Sequence, residues 1–198
     1  MKVNFEDVKR LKNLTGVGLT DAKKAIEEAN GDFDKALEAM RKKGLTKADK
    51  RGEREARSGL IGTYNHNDRI GVLVEVNCET DFVARNEIFV SLVKDIAMHV
   101  AASAPQYTTI DDVPADEMDE KKAEFTEKAK ADGKPEKMLD QIVEGMLKKH
   151  FAEKTLMEQP YIKNPDQTVE QYVKEHIAKL GENIVVKRFA RMQLGEVS

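Results

Sequence analysis

The sequence predicts an α+β fold. A three-helix domain comes first, followed by a three-stranded antiparallel sheet packed with helices, from which an antiparallel helical hairpin protrudes. Three observations carry this expectation. Apolar residues recur at helical spacing over the first 43 positions, again from 82 to 104, and again from 169 to 180. From Gly59 the period changes to two and holds to Val76. Between 111 and 144, twelve acids and six lysines surround a thin apolar stripe broken at Gly133-Lys134-Pro135.

Phe5, Val8 and Leu11 lie three apart, with Asn4 before them as a helix cap. Gly16 and Gly18 interrupt the pattern, since two glycines so close are costly inside a helix. Leu19, Ala22, Ile26 and Ala29 mark a second helix that begins near Thr20-Asp21 and stops at Asn30-Gly31. Asp32 caps a third, carrying Phe33, Ala36, Leu37 and Met40, which is expected to end at Gly44. Domain limits of 1–44, 45–58 and 59–198 follow. The 45–58 piece reads as a basic linker, within a strip from 41 to 57 that holds eight Lys or Arg against three acids. That strip is a solvated connector or exposed helix in the plain reading, and a docking strip for an acidic surface in the sharper one.

Leu60, Gly62 and Tyr64 alternate with Ile61, Thr63 and Asn65. The run 66–69 supplies turn residues, and Ile70, Val72, Val74 and Val76 form one apolar face of a returning strand. Thr80-Asp81 starts a helix expected to run unbroken through Phe82, Ile88, Phe89, Leu92, Val93, Ile96 and Val100 to about Ala104, before Pro105. The arm spans about 114–157; Leu139, Ile142, Val143, Met146, Leu147 and His150 give its second helix a narrow stripe. Residues 156–165 read as extended, because each proline disfavours helix before it. A helix from Asp166 or Thr168 ends at Gly181. A last strand follows from Glu182 to Leu194, with Ile184, Val186, Ala190 and Met192 expected on one face.

Composition narrows the function. The 198 residues are 35% charged, against about 25% in an ordinary globular chain, so much of the surface is exposed for the mass. A net charge of −3 gives no global polycation for nucleic acid, and no run of about 18 apolar residues is present to span a membrane. The N-terminal residues hold no apolar signal-peptide core, so a cytoplasmic location is expected. One cysteine, Cys78, excludes an internal disulfide framework. Glu79 and Asp81 beside it should raise its thiol pKa, which argues against a cysteine nucleophile. The four histidines are scattered without metal-ligand spacing, and His99 and His176 read as core-edge or surface groups. No phosphate loop, dinucleotide fingerprint, nucleophile elbow or HExxH helix is present. No enzyme, metal or cofactor is expected.

The segment from Val74 to Arg85 is the informative one: a hairpin hands over, through a polar turn, to a helix whose first turn carries Asp81 and Phe82. In the ordinary reading Asp81 caps the helix and Phe82 is core. In the other, the pair projects off the rim of the domain as a probe for another protein's pocket.

At these residues the sequence resembles bacterial translation elongation factor Ts, the guanine-nucleotide exchange factor of elongation factor Tu. Leu14 to Ala25, Glu28 to Asp32 and Met40 to Gly44 are similar to its N-terminal signature. Glu75 to Arg85, ending in Thr80-Asp81-Phe82-Val83-Ala84, is similar to its second, and 96–102 and Gly181-Glu182-Asn183-Ile184 also match. Arg85 stands where lysine is common in the family. The resemblance implies that the three N-terminal helices form a UBA-like domain that docks on the GTPase domain of the partner, through Lys9, Gly16, Val17, Gly18, Leu19 and Lys23. It implies that Thr80, Asp81, Phe82 and Val83 form the segment linked to Mg²⁺ displacement, with Phe82 as the wedge, and that the helical hairpin is a coiled-coil arm. The factor would bind the GDP complex, promote GDP release and be displaced when GTP binds. Only one core unit is present where longer members have two, which implies a short form acting as a homodimer.

Three other readings compete with an exchange factor. An adaptor would bind a partner through the three-helix domain while the core only dimerises. RNA binding through 41–57 predicts strong salt dependence, but no Phe or Tyr stands among those basic residues for base stacking. An enzyme has no constellation to support it.

Overall fold

The computed structural model describes residues 4–15 and 17–196, leaving aside the side chains of 45–47. The α+β architecture is as expected. Helices α1 (Phe5–Thr15), α2 (Leu19–Glu28) and α3 (Phe33–Asp49) enclose a small core of Val8, Leu11, Ala22, Ile26, Ala36 and Met40. The caps are the predicted ones: Asn4 Oδ1 accepts from the Glu6 N–H at 3.0 Å, and Asp32 Oδ1 from the Lys35 N–H at 3.1 Å. Phe5 has the right spacing for the core but lies exposed at the start of α1, with Lys9 over its ring.

Helix α3 does not end at Gly44; it runs on to Asp49. The glycine serves contact rather than termination. A Cβ at Gly44 would lie 3.4 Å from Ala178 Cβ, so its absence lets α3 approach α8 (Val169–Leu180) closely. Arg41 pairs with Glu175 and Lys174 with Asp49, and the Arg51 guanidinium donates to the Ile177 carbonyl. The first part of the expected linker is thus helix pinned to the core. Much of the basic strip is engaged too, since Arg54 and Arg57 pair with Glu79 and Glu55.

Strands β1 (Ser58–His66), β2 (Ile70–Cys78) and β5 (Ile184–Gln193) form one antiparallel sheet in the order β1-β2-β5. Asn67 and Asp68 take left-handed φ values of 51° and 56° in the first hairpin, as its turn residues should. Val72, Val74, Val76 and Cys78 point inward. The last strand departs from the expected alternation. A bulge at Lys187 shifts the register between Glu75 and Val76, so Ile184 and Val186 face the core whereas Ala190 and Met192 lie on the outer face.

The helix expected from Thr80 to Ala104 is two: α4 (Asp81–Ala84) and α5 (Glu87–Ser103). Asn86 breaks them by capping α5, its Oδ1 accepting from the Ile88 N–H at 2.9 Å. Phe89, Leu92, Val93, Ile96 and Val100 then bury one side of α5 against β1 and β2. Helices α6 (Ala115–Ala131) and α7 (Leu139–Lys154) make the arm, with Ala129, Leu139 and Val143 as its buried seam. The prolines at 160 and 165 sit in a small two-stranded sheet, β3 (Pro160–Tyr161) and β4 (Asn164–Thr168), that the sequence pattern did not suggest. Thr168 and Gln171 form the capping box of α8.

His99 and His176 are buried rather than at the core edge. His99 Nδ1 accepts from the Ile162 N–H at 3.2 Å, which leaves Nε2–H to donate to Gln159 Oε1 at 3.0 Å. That arrangement requires the neutral ring, and burial lowers the pKa of both histidines below the usual 6.5. An unfolded chain then binds more protons than the folded one. Their stabilising contribution is complete above about pH 6.5 and is lost as pH falls from there towards the folded values. The thermal unfolding midpoint is expected to drop between pH 7.5 and pH 5.5; a flat profile contradicts this reading.

Candidate protein-docking site

Strand β2 delivers the chain to the rim of the sheet at Cys78. Its thiol is buried and donates to the Thr80 carbonyl at 3.2 Å. Burial, then the charges of Glu182 and Asp81, push the thiol pKa up to about 11, so it is inert as a nucleophile. The sequence pointed to Glu79 and Asp81 as the acids responsible; folding brings Glu182 instead of Glu79.

Thr80, not Asp81, is the helix cap: its Oγ1 accepts from the Val83 N–H. Asp81 is therefore the first helical residue, and among the described residues no hydrogen bond or ion pair holds its carboxylate. Phe82 follows with 81% of its surface exposed. Val83 and Ala84 turn inward and are buried, anchoring the four-residue helix in the core. Of the four segment residues proposed as a contact, Asp81 and Phe82 are presented outward, Thr80 holds the turn, and Val83 fastens it from below. Arg85 and Asn86 border an open depression beside them.

An exposed phenyl ring forgoes about 1.5–3 kcal/mol of burial. The chain keeps it on a short, well-anchored helix, where it gains nothing for folding.

The N-terminal candidates are less concentrated. Lys9, Gly18, Leu19 and Lys23 are exposed, Val17 is half-buried, and Lys23 pairs with Glu27 at 3.7 Å. Gly16 lies outside the described residues. Leu14 and Leu19 add exposed apolar area on either side of the glycine loop.

Among the described residues no three His, Cys, Asp or Glu side chains converge to hold a metal ion, and no helix is long and apolar enough to cross a membrane. The tip thus presents an unpaired carboxylate and a solvated aromatic ring side by side, a pairing suited to contact with another macromolecule.

A sequence-family model described as Elongation factor TS matches residues 3–196. The chain is 50% identical to an elongation factor Ts of Geobacter sulfurreducens over 197 residues, which is 99% of this chain and 91% of that protein. It is 46% identical to the elongation factor Ts of Thermodesulfovibrio yellowstonii, covering 99% of this chain and 98% of that one. With the elongation factor Ts of Fervidobacterium nodosum the identity is 47%, over 99% of this chain and the whole of that protein. The chain belongs to the elongation factor Ts family, the non-enzymatic nucleotide exchange factors of elongation factor Tu in translation elongation.

Proposed function

We propose that this chain releases GDP from elongation factor Tu by setting the Asp81–Phe82 tip against the part of the partner that holds Mg²⁺ and phosphate. The observation that carries the reading is the outward presentation of Phe82 on a helix whose next two residues are buried. A bound GDP is held largely by backbone donors and by a Mg²⁺ that neutralises phosphate charge. Release therefore needs no covalent step. It needs a factor that binds best to a partner conformation in which those contacts are distorted. The phenyl ring supplies apolar area to fill a gap between side chains, and the Asp81 carboxylate supplies acceptors for donors the distortion frees. The N-terminal domain adds a second contact through Lys9, Gly16, Val17, Gly18, Leu19 and Lys23. The seating of α3 on α8, through Arg41–Glu175 and Arg51 to the Ile177 carbonyl, joins the domain that makes this contact to the core that carries the tip.

Reciprocity gives the test. If the factor weakens Mg²⁺ and nucleotide binding, Mg²⁺ and nucleotide must weaken factor binding by the same ratio. The factor is expected to accelerate release of a fluorescent GDP analogue from elongation factor Tu. Raising free Mg²⁺ at fixed factor should suppress that acceleration. Acceleration that is indifferent to Mg²⁺ would move the tip away from the metal site, and no acceleration at all would leave only the adaptor reading.

The working unit is proposed to be a cytoplasmic homodimer. The outer face of the sheet carries Ile61, Leu73 and Met192, each more than half exposed, alongside Ala190. A second copy seated there would cover both apolar faces at once. Sedimentation showing a monomer at micromolar concentration would remove the dimer and leave the exchange reading standing.

A further inference from the structure

We infer that Glu182 is a positioning residue for nucleotide exchange, clamping the turn that presents Asp81 and Phe82; the inference rests on the tip reading above. Helix α8 ends at Gly181, whose φ of 80° only glycine adopts cheaply, and its N–H donates to the Ile177 carbonyl. That left-handed step turns the following two residues towards the end of β2. Glu182 then meets Thr80 with both carboxylate oxygens. The Thr80 N–H donates to Oε2 at 3.0 Å and the Thr80 hydroxyl to Oε1 at 2.6 Å.

The bracing is reciprocal. Glu79 Oε1 accepts from the Asn183 N–H at 2.7 Å, so each turn supplies a carboxylate to the other. Asn183 is buried, and its side-chain amide donates to the carbonyls of Gly52 and Arg54, tying both turns to the chain that leaves α3. Every polar group of Thr80 is thereby committed. Its N–H and hydroxyl are held by Glu182, its hydroxyl oxygen takes the Val83 N–H, and its carbonyl takes the Ala84 N–H and the Cys78 thiol. A four-residue helix has too few internal bonds to hold its own direction. The direction of the Phe82 side chain is therefore set by contacts beyond the helix's own hydrogen bonds: Val83 and Ala84 fasten it into the core, and the Glu182 carboxylate, 102 residues away in sequence, fixes the turn that enters it. This accounts for a stretch, Gly181-Glu182-Asn183, that touches neither the exposed ring nor the outer sheet face.

A positioning role makes a distinct prediction. Loosening the turn lowers the fraction of molecules whose tip is ready to dock, which raises the factor concentration needed without altering what a docked tip does. Glu182→Ala is expected to raise the half-saturating factor concentration for release of a fluorescent GDP analogue roughly tenfold, with the plateau rate unchanged. Glu182→Gln should restore it to within about twofold, because an amide can accept from the Thr80 N–H and donate to the hydroxyl oxygen. Glu182→Asp keeps the charge but is one methylene short, so it should behave like alanine; it carries the test if the alanine variant does not fold. In a Phe82→Ala background the Glu182 substitution should add no further loss.

Parental half-saturation in Glu182→Ala overturns the inference, as does an equal loss with and without Phe82. If Phe82→Ala alone leaves exchange at the parental level, the tip reading itself has failed and the positioning role goes with it. If Phe82→Ala abolishes exchange while Glu182→Ala is silent, only the clamp is wrong.

Discussion

Phe82→Ala is expected to cut the acceleration of GDP release by at least about 30-fold while leaving the fold as stable as the parent. The two halves of that expectation come from different physics. An aromatic ring that fills a desolvated pocket at the centre of a contact commonly contributes 2 kcal/mol or more, which is about 30-fold. In the free protein the same ring is 81% exposed and packs against nothing that alanine would leave empty. A surface substitution of that kind stays within about 0.5 kcal/mol in stability. Stopped-flow release of labelled GDP beside a denaturant melt reads both. Loss of exchange together with a collapsed fold would return Phe82 to the core; an unchanged exchange rate would remove the wedge. The contrast with Val83 is a useful control, since its buried side chain should cost stability when truncated and affect exchange only through folding.

Gly62→Ala is expected to destabilise the core by about 3 kcal/mol, at the upper end of what overpacking costs. Gly62 lies opposite Val74 in the β1–β2 ladder, and α5 crosses directly above it. A Cβ there would sit 2.4 Å from Val93 Cγ1 and 3.2 Å from Val74 Cγ1, far inside contact distance. Valine at 93 cannot swing clear, because its β-branched side chain is held in a helix and fully packed. The added methyl must therefore push α5 off the sheet. Val93→Ala removes the obstructing carbons, so the double variant should lose clearly less than the two single losses combined. Additive losses, or a single variant as stable as the parent, would contradict this account of the helix–sheet contact.

Much of the architecture was legible because it follows from local rules. The switch from helical spacing to alternation at Gly59 marked the sheet, Gly133-Lys134-Pro135 marked the turn of the arm, and Asp166 or Thr168 marked the start of α8, of which the structure selects Thr168. The tip was legible as a place of interest, since an acid and an aromatic follow directly on a strand end. Whether Phe82 faces out or in was not, because one residue in a first helical turn has no period to reveal its face. The same limit explains Phe5, which carries core spacing yet lies at a helix end with nothing above it.

The misjudged places share a cause. Gly44 looked like a stop and is a contact, because its meaning depends on Ala178, which lies far along the chain. One extra residue at Lys187 reversed the outward and inward faces of the second half of β5, putting Met192 on the open side of the sheet. Asn86 broke the helix expected to be continuous from Thr80, because its side chain could cap the next helix.

What the sequence by itself determined was the order and kind of the main elements and the family, through periodicity, breakers and motifs that act within a few residues of one another. What only the tertiary structure decided was which way those elements point. The exposure of Phe82, the clamp from Glu182 to Thr80 and the seating of α3 on α8 each depend on groups far apart in the chain. Hydrogen bonds and steric fit operate over a few ångströms in space, and no local pattern along the sequence encodes which distant residue will arrive there.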